Sequence, residues 1–210
     1  MRDKSDNREP AEVWIELPAG ARVAVRPVRS SDKEIIADGF SRMGERSRYQ
    51  RFMTVRDALS AGELRYLTEV DHHDHEALLA FDAESGEGLG VARFVRNPAD
   101  PTAAEAAVAV VDAWQRRGLG TALTALLANR ARQEGVERFT ALLLATNEGM
   151  MRMLRRLGPI RVVSRDGPVV EVEMDLPLEG IGDHIAGVLR AAASGAEAVT
   201  DTHEMQVERP

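Results

Sequence analysis

The 210-residue chain has no cysteine, which excludes disulfides, thiolate metal sites and a cysteine nucleophile. Aromatic residues are scarce, at 4%. No apolar run approaches the roughly 20 residues that a membrane helix needs. Met1 to Pro10 is charged and lacks the apolar stretch of a secretory signal, so a cytoplasmic protein with no membrane partner is expected. Positive charge is in deficit: 27 Lys and Arg against 34 Asp and Glu give a net charge of -7, which argues against nucleic acid as a partner. Nearly all of the basic charge is arginine. With 44% apolar residues the length suits one domain with tails and a sizeable core.

The pattern divides the chain in three. Residues 1–11 read as a disordered leader and 12–177 as the folded domain. Residues 178–210 read as a C-terminal helix over 181–193 followed by an acidic, disordered tail. Within the domain, Val13 to Leu17 and Arg22 to Arg29 flank a hairpin signal, Pro18-Ala19-Gly20-Ala21, and Pro27 marks an edge or a strand end. Ser31 or Asp32 can cap a helix running towards Met43. Ser60 with Glu63 reads as a capping box. Strands are expected over Ala77 to Asp82, Leu89 to Val95 and Ala104 to Asp112. From Gly118 to Glu134, Leu119, Ala122, Leu123, Leu126 and Leu127 repeat with helical spacing. A strand over Arg138 to Ala145, a helix capped by Asn147 and a hairpin around Asp166-Gly167 complete the domain. The order predicts a mixed α/β (α+β) fold with a central, mostly antiparallel twisted sheet flanked by helices, not a doubly wound one.

The richest segment is Gln115-Arg116-Arg117-Gly118-Leu119-Gly120-Thr121, between an apolar strand and a periodic helix. A glycine-rich turn there leaves helix N-terminal N–H groups free for phosphate oxygens, with the helix dipole adding to the attraction. A Walker A loop would need a lysine where Thr121 stands, and a dinucleotide fingerprint would need glycine at Leu123. The spacing of Gln115, Gly118 and Gly120 instead resembles the acyl-CoA motif of the Gcn5-related N-acetyltransferase (GNAT) superfamily, over roughly residues 13–177. Ala104-Glu105 ahead of Trp114-Gln115 is similar to a subgroup, the bacterial protein lysine acetyltransferases.

The resemblance implies a single GNAT-type domain that takes acetyl-CoA as cosubstrate and transfers the acyl group to an amine acceptor, a protein lysine or a small amine. It assigns pantetheine pairing to the family's fourth strand at Val110 and Val111, and pyrophosphate binding to the N–H groups from Arg116 to Thr121, where the side chains of Arg116 and Arg117 are expected to add charge. It places Asn147 and Met151 beside the pantetheine and makes Glu105 the general base. On the residues alone, Glu105 is an isolated acid among alanines, an apolar setting that would suit a base. Direct attack in a ternary complex is expected, since no cysteine can carry the acyl group. Many members place a tyrosine acid in the helix after Asn147; Met150, Met151 and Met153 stand there instead. That departure keeps open a non-catalytic acyl-CoA-binding or partner-binding module on the same fold. Relatives with a fused cyclic-nucleotide domain exist, but leader and tail are too short for one, so such regulation in cis is not expected. A homodimer is left open.

Two further clusters stand out. Asp71-His72-His73-Asp74-His75-Glu76 invites a metal reading, but its spacing does not suit a helical His pair, and no metal is expected. His75, next to a strand, is the member expected to touch substrate. Arg42, Arg46, Arg48, Arg51 and Arg56 form a basic group on the side where the resemblance puts the acceptor, with Arg51 as the substrate-binding candidate.

Overall fold

The computed structural model describes residues 12–18 and 20–177. The leader, the helix expected over 181–193 and the acidic tail lie outside the described residues. Eight strands form one sheet: β1 (Val13–Glu16), β2 (Arg22–Pro27), β3 (His75–Phe81), β4 (Gly88–Asn97), β5 (Asp100–Val110), β6 (Arg138–Leu144), β7 (Arg161–Asp166) and β8 (Val169–Asp175). Their order is β1-β2-β3-β4-β5-β6-β8-β7, and only β5 and β6 run parallel. The helices are α1 (Lys33–Ser41), α2 (Glu45–Phe52), α3 (Ala61–Thr68), α4 (Leu119–Gln133) and α5 (Glu148–Leu157). This is the expected α+β layering. Among the described residues no helix is long and apolar enough to cross a membrane.

Strand alternation splits the core in two. On β3, Leu78 and Ala80 join the larger cluster with α4 and α5, while Ala77 and Leu79 join a smaller one beneath α1 and α3. The apolar stripe of α4 puts Leu119, Leu123 and Leu127 almost wholly out of water. Each contributes roughly 2 kcal/mol of transfer free energy. Gly135, at φ +80°, ends the segment that follows α4.

Three local expectations change. Asp32 does not cap α1 through its side chain. A 3-10 turn over Ser30–Asp32 precedes the helix, and the Asp32 carboxylate turns back to accept from both Arg26 Nη atoms (2.7 and 2.8 Å) and from the Arg29 N–H (2.7 Å). Burial selects that use, because Arg26 and Asp32 are both buried and each needs the other. Pro27 marks a strand end, not an edge, since β2 lies between β1 and β3. The N-terminal hairpin also makes the strand that the resemblance counts as fourth the fifth in this chain.

Candidate active site

β5 and β6 pair only at Ala103–Arg138, Ala104–Phe139 and Glu105–Thr140. Beyond Glu105 the two parallel strands separate. β6 stays paired to β8 and β5 to β4, so a gap opens between Ala106–Val110 and Ala141–Leu144. Val111 donates its N–H to the Leu89 carbonyl of β4 (3.0 Å). Ladder alternation therefore turns the Val110 N–H to the opposite edge, into the gap. Of the two valines expected to pair with a pantetheine arm, only Val110 offers its amide; that of Val111 is committed to the sheet.

The glycine-rich turn closes the end of this gap. A 3-10 turn over Asp112–Trp114 leads to Gln115 in an extended conformation, then Arg116 at φ +60° and Gly118 at φ +93°. Gly118 sits in a region that favours glycine, and a Cβ there would meet Pro18 Cδ at 3.0 Å. The first intrahelical bond of α4 runs from Ala122 N to Gly118 O (3.0 Å), so the N–H groups of Leu119, Gly120 and Thr121 have no helical acceptor. No acid stands in the first turn of α4 to oppose an anion. A Cβ on Gly120 would lie 3.4 Å from Met153 Sδ and 3.7 Å from Val110 Cγ2, so the missing side chain leaves the turn open beside β5. These donors and this space suit a pyrophosphate at the turn, with a linear amide chain in the gap.

The side chains of the turn do other work. Gln115 Nε2 donates to Val110 O, Asp112 Oδ1 and Ser47 Oγ, each at 3.1 Å, and so ties the strand end to α2. Asp112 Oδ2 also accepts from the Gly44 N–H at the start of α2 (3.2 Å). Arg116 and Arg117 are exposed, and the Arg117 guanidinium lies 5.0 Å from the centre of the Trp114 ring. The side chain of Leu119 is core, so only its amide faces a ligand. Asn147 caps α5 by accepting from Met150 N (3.1 Å), and Met151 packs half-buried against the larger core.

Glu105 stands where β5 and β6 part, but not in the expected apolar setting. It is exposed, and its charge acts on two guanidinium groups, those of Arg51 and Arg93. Strand periodicity explains the difference: alternation turns Glu105 to the face covered by α1, α2 and α3, away from the alanines that join the larger core. On this face lies a pocket that opens to solvent. Phe40, Phe52, Leu79, Val91 and Ala109 are among its lining residues, and Arg51 and Arg93 border it. Burial lowers the pKa of Arg51 and brings that of Arg93 down to about 10.

The histidine-rich segment is a structural joint. Asp71 Oδ1 accepts from the N–H groups of His73, Asp74 and His75 at 2.8–2.9 Å, and His72 takes φ +59°. The three imidazoles go to three partners: His72 to Glu76 (2.7 Å), His73 to Glu134 and His75 to Arg93. Glu76, 1% exposed, also accepts from Arg130 of α4 (3.0 Å), which fastens the start of β3 to α4. Among the described residues no group of three or more His, Asp and Glu side chains is arranged to hold a metal ion. His75 is neutral near pH 7: burial first, then the neighbouring Arg93, brings its pKa down to about 4. The basic group between the first helices is mostly engaged as well. Arg42 pairs with Asp38 (2.9 Å), Arg56 with Glu63, and Arg48 donates to the Asp57 carbonyl (3.1 Å); Arg51 is the member that reaches the pocket.

Sequence reasoning missed Arg93 and Tyr66. The signal for Arg93 was present: it is the one charged residue between Leu89 and Val95. Tyr66 gave none, because its place beside Arg93 depends on how α3 packs.

Comparison with known proteins gives the family. The family model described as Acetyltransferase (GNAT) family matches residues 45–158. The chain is 36% identical over 163 residues to Acetyltransferase Pat of Mycolicibacterium smegmatis, an alignment covering 78% of this chain and 48% of that protein. It thus spans about half the length of that relative. The GNAT domain of S. lividans PAT superposes with a TM-score of 0.72 at 31% identity, covering 79% of this chain and 97% of that one. A cAMP-binding acyltransferase from Mycobacterium smegmatis gives 0.59 at 30% identity, covering 91% and 57%. The chain belongs to the GNAT acetyltransferase family.

Proposed function

We propose that the chain transfers an acetyl group from acetyl-CoA to a primary amine, of a protein lysine or a small molecule, by direct attack in a ternary complex. The observation that carries this reading is the gap beyond Glu105, edged by the free N–H of Val110 and closed by the donors of α4. The pyrophosphate would lie on the amides from Arg116 to Thr121, and the pantetheine would add to the open edge of β5 like a short strand.

Glu105, exposed at the mouth of the gap, takes a proton from the acceptor ammonium. The amine nitrogen then attacks the thioester carbonyl carbon, whose oxygen is polarised by a backbone N–H on the open edge of β5. The C–S bond breaks, the nitrogen gives its second proton to water, and the CoA thiolate takes one from water, since α5 carries no tyrosine. Glu105 thus acts from an exposed position on β5. The cytoplasmic setting expected from the sequence belongs to the same proposal.

Glu105→Gln tests the base. The variant is expected to bind acetyl-CoA as wild type does while kcat falls by about 10²- to 10⁴-fold, read by thiol release. Turnover equal to wild type across pH 6–9 removes Glu105 from the mechanism.

A further inference from the structure

Between Leu89 and Val95 the β4 strand is apolar except at Arg93. Ala92 and Phe94 belong to the larger core, so alternation sends Arg93 to the opposite face, into the pocket under α1, α2 and α3. The residue is 4% exposed. Its guanidinium lies 4.5 Å from the centre of the Tyr66 ring, and Nη2 donates to His75 Nε2. Nη1 is buried and has no hydrogen-bond partner among the described residues.

A buried guanidinium N–H without an acceptor is costly, and Arg93 lines the pocket, so a ligand seated there can supply the acceptor once the side chain turns to it. Nothing nearby supplies one. His75 is uncharged near pH 7 and already used by Nη2. Arg51 borders the same pocket and adds positive charge, which acts against that of Arg93. Glu105 attracts both arginines without forming a hydrogen bond or ion pair with Arg93, and it is exposed. The pocket is otherwise lined by Ile, Leu, Val, Phe, Met, Ala and Gly.

We propose that Arg93, with Arg51, seats the carboxylate of the acceptor, which is therefore amino-acid-like: an amine, an apolar body and a carboxylate in one molecule. This rests on the acyl-transfer reading above. The placement follows from the shared face. Glu105 and Arg93 sit on neighbouring strands of one sheet face, with Arg93 opposite Ala107, so an amine delivered to Glu105 has its acid end within reach of Arg93 and its apolar body in the pocket. A plain alkylammonium would enter a pocket bordered by two guanidinium groups, whose combined charge exceeds that of the exposed Glu105. A carboxylate matches the charge of Arg93 and would accept from Nη1.

The experiment measures acetyl-CoA turnover by thiol release for pairs of amines differing only by the carboxylate: L-leucine against 3-methylbutylamine, L-phenylalanine against 2-phenylethylamine, and 6-aminohexanoate against pentylamine. Free-amine concentrations are matched. At least one acid is expected to exceed its partner tenfold or more in kcat/KM, mainly through KM. Arg93→Met should abolish that preference with acetyl-CoA binding and far-UV dichroism unchanged, and Arg93→Lys should restore part of it. Equal rates within every wild-type pair, or a preference that survives Arg93→Met, overturns the proposal.

Two other results also overturn it. Preference for succinyl-CoA over acetyl-CoA that is lost in Arg93→Met would move the carboxylate to the acyl group. A lysine peptide used faster than every small amine would move the acceptor to a protein. If no amine is turned over, the binding arm decides. Titration of the CoA-saturated protein with 4-methylpentanoate should give binding that 4-methylpentanamide lacks, and equal or absent binding of both overturns the assignment. Failure of the transfer reading is seen separately, as absence of acetyl-CoA binding by the wild type.

Discussion

Asp32 and Arg26 show how one residue is used differently in a chain and in a fold. By sequence Asp32 is a helix cap; in the structure it is a buried counter-ion. Burial alone would raise its pKa, but hydrogen bonds from Arg26 and the Arg29 N–H outweigh that and hold it below its ordinary 3.8. A carboxylate lowered in this way contributes stability that is complete above 3.8 and fades as pH falls through its folded value. Asp32→Asn is expected to cost about 3–5 kcal/mol in urea unfolding at pH 7, since it leaves Arg26 buried without its charge. The gap to wild type should narrow as pH drops below 3.8. A gap independent of pH would mean that the charge of Asp32 contributes little. Glu105 carries the same lesson: its neighbours in the chain are alanines, and its neighbours in space are arginines.

At the scale of elements, α4 carries two functions on one helix. Its body is a core stripe that any amphipathic helix could supply. Its first turn is a cluster of amides held open by Gly118 and Gly120. Substitutions should separate the two. Gly120→Glu places a carboxylate among donors meant for phosphate and fills the space beside Met153 and Val110. We expect calorimetric titration to show acetyl-CoA binding at micromolar strength in wild type and none in this variant, with far-UV dichroism unchanged. Retained binding would place the diphosphate elsewhere. Gly118→Ala strains the backbone instead, because an alanine must adopt φ +93° against Pro18. It should lower stability by about 1 kcal/mol or more in denaturant unfolding; an unchanged midpoint would mean that the turn relaxes.

For the whole molecule, the gap is an interruption of the sheet itself. Eight strands are continuous except where β5 and β6 part, so a ligand that adds to the open edge ties the two halves of the sheet together. Acetyl-CoA at about 100 times its Kd should add roughly 2.7 kcal/mol to unfolding and raise Tm by about 5–10 °C, measured by calorimetry. A shift under 1 °C at that saturation would argue against binding across the gap. Local patterns already set the strands, the α4 stripe, the Ser60 and Asn147 caps and the glycine turn, because each depends on residues within a few positions of one another. They also carried the acyl-CoA motif, since a phosphate site made of backbone amides is a property of one continuous segment. Which side chains share a pocket is different in kind. Arg93, Arg51, Tyr66, His75 and Glu105 come from β4, α2, α3, β3 and β5, and no spacing in the chain relates them. Their meeting is fixed by strand order and by which face each residue takes. The tertiary structure alone therefore decided that Glu105 faces arginines and that Arg93 is buried with a hydrogen bond to give.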